Sequence, residues 1–100
     1  MPKVKHIALM KFKEGTSEEQ VQEILDQVLD ITETIPGIED YVSGPNSSPE
    51  GLNQGYTHAF IMTFVDAAAR DAYLPHPEHE RVKGMIMPRV DSLLVFDFEV

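Results

Sequence analysis

Two stretches of this chain alternate side chains with a period of two, and an apolar stripe of helical period separates them. In the first stretch Val4, His6, Ala8, Met10 and Phe12 alternate with Lys5, Ile7, Leu9 and Lys11. Apolar residues in both sets mark a strand covered on both faces. Gly15-Thr16-Ser17 interrupts it. Ser17 with Gln20, or Thr16 with Glu19, has the spacing at which a hydroxyl and a side-chain carbonyl satisfy the first free amides of a helix. Val21, Ile24, Leu25, Val28, Ile31 and Ile35 then recur at helical spacing, with Glu19, Glu23, Asp26 and Asp30 on the other side. That stripe packs inward, and Pro36-Gly37 ends the helix.

Ile38 to Ser43 predicts a short strand, and residues 44–54 are too rich in turn formers to be anything but a loop. Tyr56 to Val65 is the second alternating stretch, with Tyr56, His58, Phe60, Met62 and Phe64 on one side and Thr57, Ala59, Ile61, Thr63 and Val65 on the other. Asp66 caps a short alanine-rich helix through about Leu74, and Pro75 stops it. Pro77 opens a further turn carrying His79, Val82, Met85 and Ile86, where Gly84 and Pro88 argue against a long regular helix. Leu93 to Val100 predicts the last strand.

The order βαββαβ over residues 1–100 predicts one α+β domain of ferredoxin-like plan, a four-stranded antiparallel sheet with its helices on one face. The other face then leaves Ile7, Leu9, Ala59, Ile61, Leu94 and Phe96 wet. So large an apolar patch predicts a homodimer in which two sheets meet across a two-fold axis and form a dimeric α/β barrel.

Composition narrows the partners. Eight basic against seventeen acidic residues give a net charge of −9, which opposes nucleic-acid backbones and anionic membranes. The chain has no cysteine, hence no disulfide framework, thiolate nucleophile or Cys-based zinc site. With no apolar run of signal-peptide or membrane-span length, a cytoplasmic location is expected. No G-x-S-x-G, G-x-G-x-x-G or G-K-[ST] element points to a serine hydrolase, a dehydrogenase or a P-loop.

The chemistry concentrates in Tyr73-Leu74-Pro75-His76-Pro77-Glu78-His79. A neutral imidazole at His79 can take the acidic proton between two carbonyls, and a phenol at Tyr73 can donate to the alkoxide that an aldol closure develops. His76 precedes a proline, which holds it extended and suits it to anchoring the segment. His6 and His58 share a strand face with Met10, Phe60 and Met62, under the amphipathic helix. There each is either a core histidine bonded to backbone or water, or a group that orients a polar part of a ligand. Neither an H-E-x-x-H motif nor a close acidic cluster accompanies His76 and His79, so neither metal nor cofactor is expected.

Several of these pieces resemble the stress-responsive dimeric α/β barrel (Dabb) family. They are Val4-Lys5-His6 with Lys11-Phe12-Lys13, Ile35-Pro36-Gly37, Gly55-Tyr56-Thr57-His58, Tyr73 with His76-Pro77-x-His79, and Phe96-Asp97. They run in order over almost the whole length, and the likeness is strongest to the plant polyketide cyclase members. The resemblance implies a dimeric barrel. It also implies that His79 and Tyr73 match the acid/base pair of a cofactor-independent C2 to C7 aldol cyclisation. Ile24, Leu25 and Val28 match positions that form an aromatic alkyl pocket in those members, and Val90 matches a tryptophan, so the pocket must differ in shape.

The expected site therefore comprises His79 and Tyr73 as catalytic groups. His6, His58, Ile24, Leu25, Val28, Phe60, Met62 and Val90 would surround a small apolar or aromatic carbonyl compound. Two other functions fit the same barrel: a non-catalytic stress-responsive protein, and a cofactor-free monooxygenase or isomerase.

Overall fold

The computed structural model describes residues 2–100. The elements are β1 (Val4–Phe12), α1 (Glu18–Thr34), β2 (Ile38–Pro45), β3 (His58–Phe64), α2 (Ala67–Tyr73), α3 (Pro77–Ile86) and β4 (Val90–Glu99), with a 3-10 turn at Met87–Arg89 before β4. The strands form one sheet in the order β2-β3-β1-β4, and every neighbouring pair is antiparallel. This is the ferredoxin-like βαββαβ arrangement that the periodicities predict, with the second helical unit split into α2 and α3.

Of the two candidate caps, Ser17 is the one used: its hydroxyl accepts from the Gln20 amide, and the Gln20 side chain accepts from the Ser17 amide. Two free amides at the start of α1 are thereby satisfied. Its apolar stripe, Val21, Ile24, Leu25, Val28 and Ile31, is buried. On the sheet, Val4, His6, Ala8 and Met10 of β1 and Phe60, Met62 and Phe64 of β3 are buried against it, as the alternation predicts.

Four features differ from expectation. Residues 77–86 form a regular ten-residue helix rather than an isolated turn. Gly84 sits inside it at the usual cost of about 1 kcal/mol for a helical glycine, and Pro88 falls just past its end, where the missing amide breaks no bond of α3. Strand β4 begins at Val90 instead of Leu93, because Phe12 pairs with Val90 across a register shift after Lys11. Strand β2 extends to Pro45, while β3 starts only at His58.

At the turn into β2, Gly37 has φ of +92°, and a Cβ there would lie 2.6 Å from the Ala69 Cβ. Only glycine allows α2 to approach so closely. The face of the sheet away from the helices carries Val42, Leu94, Phe96 and Phe98, which are 53%, 40%, 60% and 45% exposed. This apolar surface is uncovered in the single chain.

Candidate active site

Between α1, α3 and the helix-covered face of the sheet lies a cavity of about 220 Å³. Val28, Val82, Ile86, Leu93 and Val95 give it apolar walls, and His6, Tyr73 and His79 give it one polar end. An apolar chamber with a few convergent polar groups is the usual form of a small-molecule site.

The turn between α2 and α3 sets the polar end. Tyr73 closes α2, and the chain then bends through Leu74 and Pro75 to His76, whose ring accepts from the Glu78 amide at 3.1 Å and caps α3. That cap starts the helix so that His79, in its first turn, lies back over Tyr73. The two rings are 4.4 Å apart between centroids and tilted by 44°.

The orientation of His79 follows from one bond. Its Nδ1 lies 2.8 Å from the Leu74 carbonyl oxygen, which can only accept, so Nδ1 carries the hydrogen and donates. In the neutral ring Nε2 is then the bare nitrogen, the atom that can receive a proton.

Tyr73 is only 2% exposed. No described group hydrogen-bonds to its hydroxyl, yet no fully buried side-chain nitrogen or oxygen among the described residues lacks a partner. The hydroxyl therefore borders open space in the cavity. Burial pushes its ionisation well above the usual phenol range, with a smaller contribution from Tyr41. The phenol therefore stays protonated and keeps a hydrogen to donate.

His6 is held from behind. Its Nδ1 lies 2.7 Å from Asp97 Oδ1, and the Arg70 guanidinium donates to Asp97 Oδ2 at 3.0 Å. The β1–β4 register creates this pair by setting His6 opposite Asp97. The His6 ring also packs within 5.9 Å of both Phe64 and Tyr73. A carboxylate behind an imidazole fixes its tautomer and ring plane, leaving Nε2 for the cavity side.

Of the residues expected around the ligand, the cavity brings together His6, Val28, Phe60, Tyr73 and His79. Ile24, Leu25, Met62 and Val90 do not line it; each is buried in the core. Ile24 and Leu25 lie about a turn before Val28 along α1, too far toward its start to reach the chamber. Met62 is sealed beneath the helices at 0% exposure, and Val90 stands at the start of β4, ahead of the wall residues Leu93 and Val95.

His58 also lies elsewhere. It shares a face with Met62, the cross-strand partner of His6, but sits four residues away along β3, about 13 Å at the strand rise. There its Nδ1 meets the Thr57 hydroxyl at 2.8 Å and its ring packs edge-on against Phe12. Sequence reasoning missed Arg70, Asp97 and Lys83, the last of which lines the cavity one turn beyond His79. Among the described residues no cluster of three or more His, Asp or Glu could hold a metal ion, and no helix is long and apolar enough to cross a membrane.

Known proteins resemble this chain over nearly its whole length. A stress-response A/B barrel domain-containing protein of Arabidopsis thaliana is 33% identical over 96% of this chain and 88% of its own length. Olivetolic acid cyclase of Cannabis sativa is 28% identical over 95% of this chain and 94% of its own, so the polyketide cyclase likeness is real but exceeded by that to the stress-response protein. A crystal structure of an Arabidopsis thaliana protein superposes with a TM-score of 0.93 at 33% identity, covering 97% of this chain and 94% of that one. A dimeric ferredoxin-like protein of unknown function from Jannaschia sp. superposes with a TM-score of 0.88 at 29% identity, covering 98% and 99%. The model of the stress responsive A/B barrel domain matches residues 4–100, and the chain belongs to that Dabb family.

Proposed function

We propose that this protein is a homodimeric, cofactor-independent acid/base enzyme of aldol cyclase type, acting on a small apolar carbonyl or phenolic-acid compound. The observation that carries this reading is the pairing of His79 with Tyr73. The Leu74 carbonyl leaves His79 Nε2 free to accept, and beside it a buried phenol with no protein partner remains able to donate.

Nε2 of His79 removes the proton from a carbon activated by neighbouring carbonyls. The enolate carbon attacks a second carbonyl, the Tyr73 hydroxyl gives its proton to the new alkoxide, and the proton held on His79 passes to the Tyr73 oxygen, so both groups return to their starting state. His6, whose Nδ1 donates to Asp97, presents a bare Nε2 that can accept from a hydroxyl of the compound and so orient it. The apolar walls exclude water and hold the chain folded for closure. The likeness to olivetolic acid cyclase supports the reaction class, while the different pocket residues leave the substrate its own.

Sheet-to-sheet dimerisation is supported by the exposed Val42, Leu94, Phe96 and Phe98 and by the dimeric relative of the same fold. A second reading, a non-catalytic stress-responsive protein, is favoured by the stress-response relatives and by the protein bonds that His6, His58 and His79 each make. A thermal-shift screen against β-polyketide and phenolic-acid compounds, followed by turnover assays of the hits, separates the two. The enzyme reading predicts a stabilising compound that is consumed by the wild type and not by His79→Ala. Stabilisers that remain unconverted would favour the non-catalytic reading.

A further inference from the structure

We infer that the ligand of this cavity carries an anionic group, and that Lys83 at the cavity rim is the residue that selects it. The inference rests on the proposed small-molecule site and adds the charge and layout of the ligand.

Lys83 lies four residues after His79 on α3, so the two side chains rise from one helix face about 6 Å apart along the axis. Both line the same chamber. Apart from His6, Tyr73, His79 and Lys83 the lining side chains are apolar, so the exposed Lys83 is the one cation of the chamber wall.

That cation has no protein partner. The other two cations on the helices are engaged, Arg70 with Asp71 and Asp97 and Arg81 with Glu78. Among the described residues no carboxylate pairs with Lys83, in a chain with seventeen acidic and eight basic residues. Compensation of the negative carbonyl end of α3 is the alternative role for a lysine in the last turn. It accounts for the sequence position, but not for the side chain's place in the cavity wall.

The volume sets the size of the ligand. A cavity of about 150 Å³ holds a benzene ring, so about 220 Å³ takes a ring with a short chain, or a chain of similar bulk. The layout then fits a compound with its reacting carbonyl at His79 and Tyr73 and a carboxylate roughly one helical turn away, at Lys83.

The test compares 3-phenylpropanoate with 3-phenylpropan-1-ol, matched in shape and differing in charge, by calorimetric titration of the full-length wild type, Lys83→Gln and Val28→Phe. The inference predicts tighter binding of the carboxylate to the wild type. It predicts a loss of about two- to fivefold in Lys83→Gln, as expected for an exposed ion pair, with the alcohol unchanged. If the alcohol binds and Val28→Phe blocks it, but the carboxylate is no tighter or keeps its advantage in Lys83→Gln, the anion assignment is overturned and the cavity stands. If neither probe binds, or Val28→Phe blocks neither, the small-molecule site itself falls and takes the inference with it.

Discussion

His6 and Asp97 face each other across the β1–β4 ladder, with the imidazole Nδ1 2.7 Å from one carboxylate oxygen while Arg70 holds the other oxygen at 3.0 Å. The arrangement runs from a guanidinium that is one quarter exposed, at 25%, to a ring on the cavity wall. Replacing Asp97 with Asn should cost about 1–3 kcal/mol, because a largely buried imidazole loses a charged partner. Arg70→Ala should cost no more than about 1 kcal/mol, since that pair is partly solvated. Denaturant melts of the two variants check the order; equal losses would mean that Arg70, and not His6, is what Asp97 serves.

Tyr73→Phe removes a hydroxyl without a protein partner and keeps the ring that packs against Phe64 and His6. Stability should change by less than about 0.5 kcal/mol, while turnover of any substrate found should fall by about 100-fold or more. A large drop in melting temperature would show the hydroxyl to be structural.

The same phenol predicts a pH dependence. Its ionisation is raised by burial from the ordinary 10.0, so above pH 10 the unfolded chain releases a proton that the folded chain retains. Unfolding is then increasingly favoured, and the contribution present at neutral pH is lost as pH rises from 10 toward the higher folded value. Melting temperatures taken between pH 9 and pH 11 should fall more steeply for the wild type than for Tyr73→Phe. Parallel curves would contradict this.

At Gly37 the turn into β2 comes close against Ala69 of α2. An alanine there would be strained at φ of +92° and would meet the Ala69 Cβ at 2.6 Å, so Gly37→Ala should destabilise by about 2 kcal/mol or more. Gly37→Ala with Ala69→Gly should recover only part of that, since it relieves the contact and leaves the strained φ. Chemical denaturation of both variants measures the two shares.

Phe96 is the most exposed of the aromatic residues on the bare face of the sheet, at 60%. Phe96→Asp should convert the proposed dimer to monomer, because a charge buried in a sheet-to-sheet contact has no partner. Light scattering after size exclusion decides it, and a variant that keeps the wild-type mass would move the interface elsewhere.

Periodicity carried most of the architecture. Alternation in residues 4–12 and 56–65 assigned the strand side chains to their faces, and Pro77 marked where the turn begins that the structure extends into α3. The site was legible only where its parts are close in sequence, as Tyr73 and His79 are. His6 and Asp97 are 91 residues apart, and their meeting depends on a strand register that no local pattern encodes. His58 shows the converse: a shared face implied proximity to His6, but position along the strand sets the distance. Ile24, Leu25, Met62 and Val90 were placed at the cavity by apolar character or by family correspondence, and apolar character does not separate a wall from a core. Lys83 left no signal, since a lysine in the last turn of a helix is ordinary until a cavity is seen beside it.

The proposed function requires that His79 and Tyr73 form a working acid/base pair open to a carbonyl compound. Deuterium exchange at the carbon between the carbonyls of 1-phenylbutane-1,3-dione in heavy water, followed by NMR, tests this without knowledge of the natural substrate. The wild type should accelerate exchange above buffer, His79→Ala should return it to the buffer rate, and Tyr73→Phe should slow it. Exchange no faster than buffer with the wild type, or equally fast with His79→Ala, would contradict that function.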